Sequence, residues 1–255
     1  MGARLGQHFL FDPTILERIA DAARLTRADV VLEIGPGKGT LTRALAARAG
    51  RVIAIEADRG LAKVLQADPP GSNVAVVPGD VLRVPWPAAT KICGNIPYRI
   101  TSPLIERALA PPRPELIVFL VQREVADRLA ASPGTKAYGA LTAGVQLVAT
   151  VERLFAVKAG AFRPRPRVES ALVRITPRAE PLVRGADEEA ATRQLIQACF
   201  QRRRQQLQRT LREAFGLRPS ALDGVLSLAG LDPRTRAEEI PPEGFVALAR
   251  AIPTF

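Results

Sequence analysis

The stretch Asp29-Val-Val-Leu-Glu-Ile-Gly-Pro-Gly-Lys-Gly-Thr40 joins an apolar run to a loop with glycines at alternate positions. The apolar run has the length and composition of a buried parallel strand. The glycines permit a tight turn and let a ligand approach the backbone closely, and Thr40 is a plausible cap for a following helix. The pattern predicts a strand over 29–34, a binding loop and a helix over 40–49. A dinucleotide loop has its third glycine one residue later, so the spacing alone does not choose the ligand.

The same alternation of apolar runs and helical patterns continues through the first two-thirds of the chain. It predicts a doubly wound parallel sheet, that is, an α/β fold. Two later β-rich segments, 150–157 and 170–176, are expected to extend the sheet as an antiparallel edge. The remaining strands are predicted at 51–55, 74–77, 91–94 and 116–121, and helices at about 58–67 and from Ser102-Pro103, with proline at the first helical position.

The composition changes near Pro177. Residues 177–187 have a loop-like composition, and from Glu188 the pattern is helical to the end. We therefore predict a boundary at about 181–185, with an α/β domain over 1–180 and a small all-helical domain over 186–255.

The overall composition excludes several classes of protein. The chain has 255 residues, of which 47% are hydrophobic and 24% charged, which is neither a disordered nor a fibrous composition. Two cysteines, Cys93 and Cys199, indicate a reducing compartment rather than a disulfide framework, and with a single histidine they argue against a structural zinc site. The longest clearly apolar run, 116–121, is too short for a membrane span, and the N-terminus lacks a signal-peptide core. We therefore expect a cytoplasmic protein with no metal and no membrane partner.

The charge is strongly basic. The chain has 36 Lys and Arg residues against 25 Asp and Glu residues, a formal net charge of +11, and only five of the basic residues are lysines. Arginine pairs with phosphates and stacks on bases, so this balance favours a nucleic-acid partner. Codon bias or heat adaptation, with arginines on solvated surfaces, would give the same balance.

Two acidic residues follow predicted strands. Glu56 stands 21 residues after Gly35, where a carboxylate can accept hydrogen bonds from both ribose hydroxyls of an adenosine-containing ligand. Asp80 follows the third strand of the sheet, where it can meet an adenine amino group. Each has a simpler interpretation, since a solvated Glu in a structural turn and a common Gly-Asp turn would look the same.

The tetrapeptide Asn95-Ile-Pro-Tyr98 follows the fourth strand and indicates a reaction class. An exocyclic amine of a purine is a poor nucleophile because its lone pair is delocalised into the ring. The Asn95 amide oxygen and the Ile96 carbonyl can accept its two hydrogens and favour a pyramidal nitrogen. Pro97 fixes the chain, and Tyr98 offers a stacking face. No general base is required in such a methyl transfer, because the proton can leave afterwards.

These motifs together resemble the ribosomal RNA adenine N6-dimethyltransferases, and most of all the branch that acts on small-subunit RNA. The matching segments span nearly the whole chain. They are Leu5-Gly-Gln-His-Phe-Leu10, Glu33-Ile-Gly-Pro-Gly-Lys-Gly-Thr40, Gly79-Asp-Val-Leu82, Asn95-Ile-Pro-Tyr98, Val121-Gln-Arg-Glu-Val-Ala-Asp-Arg-Leu129, Pro133-Gly-Thr-Lys-Ala-Tyr-Gly139, Phe162-Arg-Pro-Arg-Pro-Arg-Val168, Arg236-Ala-Glu-Glu239 and Phe245.

The resemblance implies a Rossmann-like S-adenosylmethionine-dependent methyltransferase sheet and dimethylation of two adjacent adenosines. The implied substrate is a hairpin loop near the 3′ end of 16S rRNA, in the small ribosomal subunit or its precursor, and we expect a monomer. For catalysis it implies Asn95, Ile96, Pro97 and Tyr98, with Phe162 as a second stacking face. The cofactor contacts would be His8, Leu10, Gly35, Gly37, Glu56, Asp80 and Asn95, and RNA phosphates would meet Arg163, Arg165, Arg167, Arg202, Arg203, Arg204 and Arg209.

Two positions depart from the family pattern. His8 stands where many relatives have Asn, and both side chains can donate to a ligand carboxylate or carbonyl. Arg203-Arg204 leads into Gln205 where relatives have a lysine, although the local cluster stays basic. A solvated helix face is the plain alternative for that cluster.

Other functions remain open from the sequence. Macrolide-resistance methyltransferases act on large-subunit RNA with many of the same motifs, but they usually carry Phe where this chain has Tyr98. A non-catalytic ribosome-assembly or nucleic-acid-binding factor could retain the fold. An NAD dehydrogenase would need a substrate domain with acid and base residues, which the arginine-rich helical segment does not supply.

Overall fold

The computed structural model describes residues 7–252. The chain forms two compact units. The first takes the residues up to Ala126 together with Val151–Pro177, and the second takes Asp127–Thr150 together with the residues from Arg178 onward. The chain passes from the first unit to the second for the last time after Pro177, close to the expected boundary. The inclusion of Asp127–Thr150 in the second unit differs from the expected 1–180 and 186–255.

Long-range contacts within the second unit explain this grouping. The buried hydroxyl of Tyr138 donates to the Ile240 carbonyl at 3.0 Å, and its ring lies 5.9 Å from that of Phe200. The Gly134 amide donates to the Glu238 carbonyl at 2.7 Å. Residues 127–150 are therefore packed with helices that follow a hundred residues later.

The strands of the described residues are β1 (Phe9–Leu10), β2 (Val30–Ile34), β3 (Arg51–Glu56), β4 (Val74–Pro78), β5 (Lys91–Asn95), β6 (Leu116–Gln122), β7 (Ala149–Val157), β8 (Phe162–Arg163) and β9 (Ser170–Pro177). The α-helices are α1 (Pro13–Ala22), α2 (Thr40–Ala46), α3 (Arg59–Ala67), α4 (Thr101–Ala108), α5 (Arg123–Leu129), α6 (Ala140–Gln146), α7 (Ala186–Gln201), α8 (Leu207–Phe215), α9 (Pro219–Ala229) and α10 (Pro242–Ala251). Short 3₁₀ turns cover Tyr98–Ile100, Ala159–Ala161 and Ala237–Glu239.

The main sheet has seven strands in the order β4-β3-β2-β5-β6-β9-β7, as far as the structure describes the chain. The pairs β3–β4, β2–β3, β2–β5 and β5–β6 are parallel, and β9 runs antiparallel to β6. This confirms the predicted doubly wound sheet. The two late β-rich segments occupy one edge, as their composition suggested.

Burial explains why these strands are central. Residues 116–121 of β6 are all buried, as expected for a strand covered on both faces. Lys91, at the start of β5, is also buried, and its ammonium donates to Asp29 Oδ2 at 2.9 Å and to the Arg24 carbonyl at 2.6 Å. Asp29, which the sequence placed in the strand, lies just before β2, since the strand begins at Val30.

Two helix starts differ from the sequence expectation. Thr40 is the first residue of α2, and Gly39 takes the capping position with a φ of +76°. The Thr40 hydroxyl instead donates to the Leu10 carbonyl at 2.9 Å. Helix α4 begins at Thr101, so Pro103 is its third residue. The amides of the first helical turn have no partner within the helix, so a proline there loses no hydrogen bond. Proline is therefore acceptable at the third position of the helix as well as at the predicted first position.

A second, two-stranded sheet pairs β1 with β8, with Phe9 opposite Arg163 and Leu10 opposite Phe162. In residues 7–252 no helix has both the length and the apolar character that a membrane crossing requires.

Candidate active site

A cavity of about 480 Å³ lies in the first unit, at the carboxyl ends of β2, β3 and β5. This is where ligands bind in open α/β sheets. The structure brings ten of the residues predicted for the site to its wall. They are His8, Leu10, Gly35, Gly37, Glu56, Asp80, Asn95, Ile96, Pro97 and Tyr98.

The loop after β2 forms one side of the cavity. Gly35 and Gly37 have φ values of +67° and +59°, a backbone conformation that residues with a Cβ rarely adopt. Apart from Gly35 itself and its two chain neighbours, no protein atom lies within 4 Å of the place where a Cβ on Gly35 would stand. The loop backbone is therefore open to a ligand at this point.

Glu56, the last residue of β3, is 2% exposed, and both of its carboxylate oxygens are held by the backbone. Oε2 accepts from the Gly37 amide at 2.9 Å, and Oε1 accepts from the Asp58 amide at 2.8 Å. A carboxylate oxygen has two lone pairs, so each retains one acceptor site for a hydroxyl. The arrangement fits a ribose with two free hydroxyls.

Asp80 lies two residues beyond β4, on the same side of the cavity as Gly79 and Val81. Its Oδ1 accepts from the Leu82 amide at 2.9 Å, and its Oδ2 lies 3.5 Å from Arg83 Nε. These contacts orient the carboxylate. Its side chain is half exposed and remains accessible to an amino group.

The Asn95 amide is oriented by its neighbour from the N-terminal segment. Asn95 Nδ2 donates to the His8 carbonyl at 2.8 Å. Because a carbonyl can only accept, the nitrogen must face His8, and the Oδ1 atom is left as an acceptor. The site therefore presents an amide oxygen as an acceptor for an incoming amine.

His8 and Tyr98 lie together beside Asn95. Their ring centroids are 5.9 Å apart with an angle of 34° between the planes. The His8 Nδ1 atom is 2.8 Å from the Pro164 carbonyl, and the Tyr98 hydroxyl is 3.2 Å from Ser170 Oγ. Both rings are thus fixed at the wall of the cavity.

Phe162 is placed differently from the sequence expectation. It is 2% exposed, belongs to the hydrophobic core with Leu10 and Leu172, and does not line the cavity. The reason is its pairing with Leu10 across the β1–β8 ladder, where both side chains are buried. In this structure Phe162 supports the wall from behind and offers no stacking face.

Glu33 has no role assigned from the sequence, yet it lines the cavity. It is 1% exposed, and its Oε2 atom has no hydrogen-bond partner. The pKa of Glu33 is raised to about 8, chiefly by burial; the Thr42 hydroxyl opposes this shift and the Glu56 charge adds to it. An ionisable residue inside an otherwise apolar strand was the available signal. Cys93, opposite Glu33 on β5, is fully buried in the core.

The predicted RNA-binding arginines divide into two groups. Arg163, Arg165 and Arg167 are exposed on the first unit. In the second unit Arg204 and Arg209 are exposed. Arg202 and Arg209 both pair with Glu213, and Arg203 pairs with Glu238. Part of that second cluster is therefore neutralised by the fold.

Comparisons with known proteins show the family of the chain. A family model described as "Ribosomal RNA adenine dimethylase" matches residues 2–252. The chain is 39% identical to "Ribosomal RNA small subunit methyltransferase A" of Halothermothrix orenii, over 97% of this chain and 87% of that protein. It is 43% identical to the protein of the same name from Rhodospirillum rubrum, over 97% and 86%.

Two solved structures are similar over nearly their full length. A dimethyladenosine transferase from Plasmodium falciparum has a TM-score of 0.82 and 29% identity, covering 94% of this chain and 96% of that one. The 23S rRNA methyltransferase ErmE has a TM-score of 0.72 and 31% identity, covering 95% and 98%. With a family model that matches almost every residue and relatives of about 40% identity, the chain belongs to the ribosomal RNA adenine dimethylase family.

Proposed function

We propose that this protein transfers methyl groups from S-adenosylmethionine to N6 of two adjacent adenosines in a hairpin loop near the 3′ end of 16S rRNA. The observation that supports this most directly is the orientation of Asn95, whose amide nitrogen is bound by the His8 carbonyl. Its free Oδ1 is the acceptor that an exocyclic amine requires. The product would be N6,N6-dimethyladenosine.

S-adenosylmethionine, the cofactor of this enzyme family, supplies a methyl group on a positively charged sulfur. The residues present fit it. The Glu56 oxygens would accept from the ribose hydroxyls, Asp80 from the adenine amino group, and the open backbone at Gly35 would allow close approach. His8 and Leu10 complete the wall of the cavity.

The residues around Asn95 prepare the attacking amine. Asn95 Oδ1 and the Ile96 carbonyl accept the two N6 hydrogens, which favours a pyramidal nitrogen with an available lone pair. Tyr98, fixed by Ser170, stacks on the adenine and places the nitrogen in line for attack. The N–C bond would form as the bond between the methyl carbon and the sulfur breaks, and that electron pair would stay on the sulfur as a neutral thioether. The nitrogen would then lose a proton to solvent, so no side chain has to act as a base.

The small-subunit substrate is preferred over the alternatives. Similarity to ErmE shows that the same fold occurs in a large-subunit enzyme, but the relatives of about 40% identity carry the small-subunit name. A non-catalytic factor would have no need of the oriented Asn95 amide. We further propose that the protein acts as a monomer in the cytoplasm. Its partner there would be the small ribosomal subunit or its precursor, into which this RNA is assembled.

The experiment compares small-subunit RNA from cells with and without this protein by mass spectrometry. Dimethyladenosine is expected only when the protein is present. Purified protein should label small subunits that lack the modification and leave large subunits unlabelled. Label on large subunits only, or an unchanged dimethyladenosine content, would reject the proposal.

A variant links the activity to the site. Asn95→Ala should lower kcat by about 100-fold or more, as removal of a positioned catalytic hydrogen-bonding group does in other enzymes. Gln66→Ala is the matched control, because this exposed amide of α3 also donates to a backbone carbonyl, that of Val76, at 3.0 Å. The control should retain wild-type kcat. Equal rates for wild type and Asn95→Ala would show that Asn95 has no catalytic part.

A further inference from the structure

The β1–β8 strand pair presents an exposed aromatic ring. Phe11, directly after β1, is 42% exposed, and its amide donates to the Ala161 carbonyl at 3.1 Å. The guanidinium carbon of Arg163 lies 4.7 Å from the centroid of the Phe11 ring. In contrast, Phe119, Phe162 and Phe245 are at most 2% exposed. Phe11 is the most exposed aromatic side chain of residues 7–252.

This exposed ring belongs to the same short sheet that orients the catalytic amide. The His8 carbonyl, three residues before Phe11, accepts from Asn95 Nδ2 at 2.8 Å. His8 Nδ1 in turn lies 2.8 Å from the carbonyl of Pro164, the neighbour of Arg163. The Phe11–Arg163 pair is thus connected to Asn95 through two hydrogen bonds and one strand pair.

The charge around the ring is positive. Arg163, Arg165 and Arg167 are exposed, and no acidic residue occurs between Lys158 and Val168. The neighbouring carboxylate is that of Asp12, which caps α1 by accepting from the Ile15 amide at 3.2 Å. A solvent-exposed aromatic ring beside exposed arginines suits a base and its phosphate, because bases stack on aromatic faces while arginines meet the backbone.

We propose that Phe11 and Arg163 form a stacking platform for a nucleotide that flanks the target adenosine in the single-stranded RNA loop. The base stacks on the exposed part of the Phe11 ring, and the Arg163 guanidinium meets the adjacent phosphate. Phe11 is then a positioning residue that acts on the reaction through the placement of the RNA. This inference rests on the proposed RNA methyltransferase function.

The test uses the full-length protein and small ribosomal subunits that lack the dimethylation. Phe11→Ala should lower kcat/KM for these subunits by about 5- to 150-fold, the range expected for loss of a base–aromatic stack, chiefly through a higher KM. Phe11→Tyr retains a ring and should restore most of this loss. Arg163→Gln should weaken the salt dependence of KM, whereas Arg163→Lys should largely preserve it.

Control measurements separate the platform from a structural role. Val64→Ala removes another exposed apolar side chain of the same unit, 65% exposed on α3, and should leave kcat/KM unchanged. Cofactor affinity, measured by calorimetry, and melting temperature should be the same for Phe11→Ala and wild type. A kcat/KM for Phe11→Ala within twofold of wild type would reject the platform while leaving the methyltransferase function intact. A parallel loss of melting temperature and cofactor affinity would make Phe11 a structural residue, and the absence of methylation by wild type would reject the proposed function itself.

Discussion

At the scale of single residues, the site depends on how polar atoms are shared with the backbone. The two oxygens of Glu56 accept from the amides of Gly37 and Asp58, and the nitrogen of Asn95 is held by the His8 carbonyl. Each contact consumes part of the hydrogen-bonding capacity of a side chain and leaves a defined remainder for a ligand. The hydrogen-bonding positions that stay unused determine which ligand groups the site can bind.

Glu33 gives a prediction about pH and stability. Its pKa in the folded protein is about 8, above the ordinary 4.5, because the carboxyl is buried. Between these values the unfolded chain releases the proton and the folded chain retains it, so deprotonation favours unfolding. The contribution of Glu33 is fully present below pH 4.5 and is lost as the pH rises through 8. The free energy of unfolding should therefore fall by about 1.4 kcal/mol per pH unit from this group.

Urea unfolding of Glu33→Gln between pH 5 and pH 8 tests this, since glutamine does not titrate. In the variant, the free energy of unfolding should fall less steeply with pH, by the contribution of one proton. Asp223→Asn, an exposed carboxylate on α9, should retain the wild-type slope. Identical slopes for wild type and Glu33→Gln would contradict the raised pKa.

At the scale of elements, the loop between β2 and α2 is constrained by the backbone conformation of its glycines. Gly37 has a φ of +59°, and a Cβ at this position would lie 2.9 Å from the ring of Phe9, which lines the cavity. Gly37→Ala should reduce the free energy of unfolding by about 1–2 kcal/mol from the backbone conformation alone. Displacement of Phe9 should also weaken the binding of S-adenosylmethionine, measured by calorimetry.

Gly224→Ala is the matched control for this prediction. Gly224 lies within α9, has open space around its Cβ position and does not adopt a positive φ. Alanine there should stabilise the protein by about 0.5–1 kcal/mol, because glycine is a poor helix former. Cofactor affinity should not change. Destabilisation by both substitutions to the same extent would show that the Gly37 loop is not specially constrained.

The predicted elements agree with the structure where a pattern is local. Strand β6 was recognisable as a continuous apolar run and is buried as expected. Thr40 and Phe162 were placed differently because their partners come from elsewhere: Thr40 bonds to the Leu10 carbonyl, and Phe162 is paired with Leu10. Neither partner could be identified from neighbouring residues.

At the scale of the whole molecule, the net charge of +11 is unevenly available to RNA. Arg163, Arg165 and Arg167 are exposed, whereas Arg202, Arg203 and Arg209 are paired with glutamates. We therefore expect the first three to account for more of the salt dependence of binding to small subunits. Neutralising all three should reduce the slope of log Kd against log salt by about 2–3, since each phosphate contact contributes about 0.7–0.9.

A control with the same change in charge makes this measurement specific. Substituting glutamine for Arg51, Arg59 and Lys63 removes three exposed cations of the same unit that lie outside the proposed RNA surface. This variant should retain nearly the wild-type slope, and both variants should bind the cofactor normally. A similar loss of slope in both would mean that overall charge, and not this segment, determines RNA affinity.

The sequence by itself determined the parts of this protein that depend on neighbouring residues. The apolar runs specify the strands, the alternating glycines specify the loop after β2, and Asn95-Ile-Pro-Tyr98 specifies the reaction class. Only the tertiary structure decided which groups are buried or paired by distant residues. It buried Phe162, raised the pKa of Glu33, paired Arg203 with Glu238 and packed residues 127–150 with the later helices. Burial and ion pairing are set by contacts between segments that lie far apart in the chain, so they appear only when the chain is folded.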